Sequence, residues 1–149
     1  MAMTGIYGAP LELVKGFLEA SASFQAFSTD RTVHLYQRIG DGTDPEAGDA
    51  WAVLAYREKQ HTLTRQAAGP GLANWDAKRV LVLSLVELVE APTNSELEGL
   101  INAAGAIVED IIDNDDAAVL GECRLVNIGV DESTEPIALG AEIEMELDE

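Results

Sequence analysis

The chain has 149 residues, is 47% hydrophobic and carries a formal charge of −18 at pH 7. A domain of this length buries ~68–70% of its unfolded surface, so the apolar content supports a core and argues against disorder despite the charge. Three lysines beside sixteen glutamates exclude nucleic-acid backbone binding as a main activity, because that needs clustered Lys and Arg. Cys123 is the only cysteine, which excludes an internal disulfide and a cysteine-rich metal site. Residues 80–89 form the longest apolar run but fall short of the ~18–20 residues of a membrane span and are interrupted by Ser84 and Glu87. Residues 1–10 have neither a basic start nor a long apolar run, so no signal peptide and a soluble protein are expected.

In chain order, Pro10 is expected to open the first helix, at the position where its missing N–H does no harm. Leu13, Val14, Phe17, Leu18, Ser21 and Phe24 then follow the i, i+3, i+4 spacing of one buried face, with the helix fading over 27–30. Residues 32–38 are rich in β-formers and predict a strand, Val33, Leu35 and Gln37 opposing His34, Tyr36 and Arg38. Glycines and acids over 40–50 predict a flexible loop, residues 51–57 a second strand, and 62–65 its extended continuation. A second loop is expected over 66–76, around Gly69-Pro70-Gly71. Two such loops in a small domain suggest parts that order against a partner.

The run 80–89 is apolar on both faces, which predicts the central strand of a sheet. Ala91-Pro92 stops it, and Thr93 and Glu96 then stand at capping-box spacing. Leu97, Leu100, Ile101, Ala104, Ile107, Val108 and Ile111 make the apolar stripe of the helix that follows, ending over 113–116. Residues 119–129 and 137–148 predict two closing strands, joined by an acidic turn over 131–136. The order of elements predicts one α+β domain over 1–149, a mostly antiparallel sheet with two main helices on one face.

Charge is segregated along this layout. Residues 1–79 hold nine acids and eight bases, whereas 80–149 hold eighteen acids and one base, Arg124. In the last strand Leu139, Ala141, Ile143, Met145 and Leu147 alternate with Glu142, Glu144, Glu146 and Asp148, which predicts an acidic, solvated sheet face. Neighbouring acids ~7 Å apart cost roughly 0.6 kcal/mol per pair in water, which salt screens. Such a face suits a basic partner or the wall of a lumen, although a salt-adapted source would give the same composition.

Other constellations point to no chemistry. Asp113-Asn114-Asp115-Asp116 departs from a calcium loop, because Ala117 and Ala118 stand where a ligand and a glycine are required. His34 and His61 are the only histidines, and no nucleophile elbow, HExxH or Walker loop occurs. Cofactors, metals and enzymatic activity are therefore not expected. Arg57, Lys59, His61, Arg65, Lys78 and Arg79 concentrate the positive charge near Trp51, Tyr56 and Trp75. Inside so acidic a chain they suit the acidic face of a neighbouring copy, as a head-to-tail ring requires.

The layout resembles the tail terminator and tail-completion (head–tail joining) proteins of long-tailed bacteriophages and gene transfer agents. The similar features are an N-terminal helix ending in Ser23-Phe24-Gln25, a strand with Val33-His34-Leu35-Tyr36, a long excursion, and the helix over 97–111 before two closing strands that end on acids. The resemblance implies a virion structural protein at the tail–head junction, assembled in the host cytoplasm. It would form a homo-hexameric ring that caps the tail tube and joins it to the head connector. Its partners would be further copies of itself, the tail tube protein and connector proteins, with DNA passing through and no membrane involved. Glu142, Glu144, Glu146 and Asp148 would line the lumen or an interface, and Arg57, Lys59, Arg65, Lys78 and Arg79 would form a basic interface. The alternatives are another minor tail, neck or baseplate protein, and a cellular acidic α+β module that binds a basic protein.

Overall fold

A computed structural model describes residues 3–38, 44–57, 62–67, 73–115 and 120–147, with 62–67 and 73–78 described by backbone alone. The elements run α1 (Gly5–Ala20), α2 (Ala22–Phe27), β1 (His34–Leu35), β2 (Ala50–Tyr56), β3 (Thr62–Ala67), β4 (Ala73–Lys78), β5 (Val80–Val89), α3 (Asn94–Asn114), β6 (Leu120–Asp131) and β7 (Ile137–Leu147). The fold is α+β. Five strands form a sheet in the order β1-β2-β5-β7-β6, antiparallel except for the β1–β2 pair, and β3 and β4 form a separate two-stranded sheet.

The core lies between the helices and one sheet face. Leu54, Leu81, Leu83, Leu85, Leu139, Ala141, Ile143 and Met145 are buried against Leu11, Val14 and Leu18 of α1, Phe24 of α2, and Leu100, Ala104, Ile107 and Ile111 of α3. Full burial of each large apolar side chain contributes roughly 1.5–3 kcal/mol. The inward set expected of the last strand is buried, with Leu147 half-buried. Central β5 keeps the bounds expected of it, but its second face is only half-covered at Val82, Ser84 and Val86.

Serine and threonine caps set the helix boundaries. The Thr93 hydroxyl accepts from Glu96 N–H at 3.2 Å and starts α3. Ser21 ends α1, and its hydroxyl accepts from Phe24 N–H at 3.2 Å to start α2. The same hydroxyl donates to Asp110 Oδ2 on α3 at 2.6 Å, and Ser23 N–H donates to that oxygen at 3.2 Å. The continuous helix expected over 10–27 is therefore two helices, because Ser21 offers the backbone a cap that Asp110 locks.

The structure departs from the sequence pattern at other points. The first helix starts at Gly5, so Pro10 lies inside it and is buried. Leu11 takes the inward position, while Leu13 is 36% exposed; on α3, Ile101 is 44% exposed. The strand expected over 32–38 shortens to two residues because Tyr36 turns left-handed at φ 65°. Half of the expected 66–76 loop is strand, since β3 runs to Ala67 and β4 begins at Ala73. In the 40–50 segment, Gly48 N–H donates to Leu88 O at 2.8 Å and Leu88 N–H donates to Asp49 O at 2.9 Å, which ties that end to β5.

Candidate interaction surface

Direct cross-strand partners share a face, so the register fixes what the sheet presents away from the helices. One row runs Trp51–Val86–Gly140–Gly129, the next Val53–Ser84–Glu142–Asn127, and a third Ala55–Val82–Glu144–Arg124. The apolar members toward β2 are half-buried, and among the described residues no helix packs on this face. Arg38 stacks over the Trp51 ring, 4.9 Å from its centroid, and shields one end.

The expected acidic row is interrupted at its centre. Glu142 is exposed and Glu146 half-buried, but Glu144 is 5% exposed. Its Oε1 pairs with Arg57 Nη1, and its Oε2 accepts from Arg124 Nη2 at 3.1 Å and Nε at 3.3 Å. Arg124 Nη1 also lies 3.7 Å from Glu122 Oε1. These acids raise the Arg124 pKa further, chiefly through the Glu144 hydrogen bond. Glu144 is thus a buried charge held between two half-exposed arginines rather than a solvated acid, and the wall expected of Glu142, Glu144 and Glu146 is neutralised in its middle. Asp148 lies outside the described residues.

The predicted basic cluster is divided. Arg57 follows β2 and Arg79 precedes β5, so both stand at the root of the β3–β4 hairpin. Arg57 turns to Glu144 on the open face, while Arg79 Nη1 donates to Ile6 O of α1 at 2.8 Å on the helix side. Arg57 N–H donates to Val80 O at 2.8 Å, and Leu147 N–H donates to Arg79 O at 3.1 Å. The root is held from both sides. Arg65 and Lys78 belong to β3 and β4, whose backbone alone is described, and Lys59 and His61 lie outside the described residues.

Two concave features escaped the sequence reading. A trough of about 410 Å³ runs over β7 on the open face, its floor formed by the paired Gly129 and Gly140. Val86, Asn127, Asp131 and Glu142 border it. A Cβ at Gly129 would meet nothing within 4 Å and one at Gly140 only Leu85 O at 3.8 Å, so packing within the chain does not require either glycine. The signal was available: closing the hairpin over 131–138 sets Gly129 opposite Gly140. At the far end of the sheet, a cleft of about 660 Å³ gathers Glu46, Glu90, Glu132 and Glu135 between Pro45 and Pro136. Nearby, burial and then the Glu96 charge push the Glu87 carboxyl above its ordinary pKa.

Two other titratable groups, His34 and Cys123, are held by their local surroundings. His34 Nε2 lies 2.5 Å from Asp30 Oδ2 as an i, i+4 pair. Burial, then Asp115 and Glu122, push the Cys123 thiol up to about 11, which keeps it protonated. Among the described residues no group of three or more His, Cys, Asp or Glu could hold a metal ion, and no helix is long and apolar enough to cross a membrane. No protein-family model matches the chain, and no curated protein sequence matches it.

Proposed function

We propose that the protein is a structural subunit that works by assembly, a tail terminator of a tailed virus that closes into a ring at the head–tail junction. The observation that carries this reading is the hairpin: β3 and β4 pair as their own sheet, from a root gripped on both faces by Arg57 and Arg79. An element built in this way serves contacts beyond its own sheet. The open sheet face and the long edge strand β6, with Leu125 43% and Val130 38% exposed, add surface for neighbouring copies. Acids along the sheet end repel phosphate and suit a passage through which DNA slides without being held. Native mass spectrometry and negative-stain microscopy of the purified chain test the reading. Closed six-membered rings are expected, and a monomer at all concentrations would refute it.

The glutamate-lined cleft between Pro45 and Pro136 favours a second reading, a module that binds a basic protein. A basic peptide bound with micromolar affinity by the monomer, with no ring formed, would select that alternative.

A further inference from the structure

We propose that the β3–β4 hairpin of one copy seats on the Gly129–Gly140 trough of a second copy, so that copies join head to tail. The inference rests on the assembly reading above and names its contact. Its first support is topological. The hairpin leaves the sheet at the Tyr56–Leu81 end of the β2–β5 ribbon, whereas the trough lies level with Val86. Five residue steps along β5 separate the two, roughly 17 Å at ~3.3 Å per residue. Among the described residues β3 and β4 make no substantial contact with β6 or β7, so the trough is open to the hairpin of another molecule. Such a contact joins different patches on each copy and closes into rings or extends into filaments.

The second support is the floor. Glycine weakens a strand interior and is found at bulges, tight bends or places where a ligand or another backbone approaches closely. The irregularities of the β6–β7 pair lie elsewhere, between Leu120 and Glu122 and between Leu125 and Asn127. Neither glycine has a positive φ, and the space above both is open within the chain. The backbone of a two-stranded ribbon approaches closely over such a floor, which a side chain at either position would block.

Charge gives the third. Residues 57–79 hold the bases Arg57, Lys59, Arg65, Lys78 and Arg79 against the acids Glu58 and Asp76, in a chain of net −18. Asp131 and Glu142 border the trough, and no Lys or Arg lines it. A hairpin rich in bases meets an acidic rim, and the attraction both speeds and orients the encounter.

The test uses the full chain and two variants measured by sedimentation velocity. Gly129→Tyr fills the trough, and R65E/K78E reverses the hairpin charge. Each variant alone should associate at least roughly tenfold more weakly than the parent. Circular dichroism should show both folded; a variant that unfolds is replaced by Gly140→Val or by the charge-neutral R65Q/K78Q. Mixed together, the two variants should form a heterodimer and stop there, because one retains a good hairpin and the other a good trough. If both variants associate like the parent, or the mixture stays monomeric, the docking is wrong even though copies assemble. A parent chain that is itself monomeric at all concentrations would remove the assembly reading as well.

Discussion

Arg79 donates to Ile6 O, the carbonyl one helical turn before Pro10, at 2.8 Å. In an unbroken helix that oxygen accepts from the N–H four residues on, which proline lacks. Arg79 thus completes α1 from the sheet, and the proline becomes tolerable inside the helix because a remote residue answers it.

Arg79→Ala should therefore cost about 1 kcal/mol of stability, the usual net worth of one hydrogen bond. In a Pro10→Ala background, where residue 10 again donates, the cost should shrink. Urea titration of the four-member cycle reads the coupling directly. Strict additivity would mean that Arg79 acts elsewhere.

Glu144 has two arginine partners, and either can serve alone. Arg57→Ala and Arg124→Ala should each cost about 1 kcal/mol, because the arginines are half-exposed and such pairs are screened. Removing both leaves a buried carboxylate unpaired, at a cost of ~3–5 kcal/mol. Denaturant midpoints of the single and double variants check this non-additivity.

Asp110 and Glu87 should give opposite pH dependences. Hydrogen bonds from Ser21 and Ser23 hold the Asp110 carboxyl below the ordinary value of 3.8. Its contribution to stability is full above that value and is lost as pH falls through the lower folded pKa. Ser21→Ala should raise the Asp110 pKa, as carbon-detected NMR titration would show. Glu87 behaves in the reverse sense, since burial and Glu96 raise its folded pKa above 4.5. Its charge opposes folding above the raised value, and the opposition fades as pH falls through it. Glu87→Gln should raise Tm at pH 7 and leave it nearly unchanged at pH 4.

Thr93→Ala should cost about 1 kcal/mol, because the hydroxyl satisfies an otherwise orphaned N–H at the start of α3. Thr93→Ser should recover most of it. A thermal melt distinguishes the two.

Where local chemistry decides, the fold was legible. The run 80–89, apolar on both faces, marked the central strand, and Thr93 marked the start of α3. Where a distant residue decides, it was not. Pro10 reads as a helix start unless Arg79 is known to answer Ile6, and Ser21 reads as mid-helix unless Asp110 is known to meet it. Alternation placed Glu144 on the open face, where it is, but only Arg57 and Arg124 explain its burial. The hairpin was half-visible: Thr62 was expected to begin an extended arm, but the glycine-rich 69–71 concealed the pairing of Ala67 with Ala73.

The proposed role as a ring subunit of a tailed particle is tested most directly by gold-labelled antibody on purified particles from the culture that produces the protein. Label at the head–tail junction is the predicted result. Label at the distal tip would move the protein to the baseplate and contradict the terminator role, and particles without label would contradict the virion account altogether.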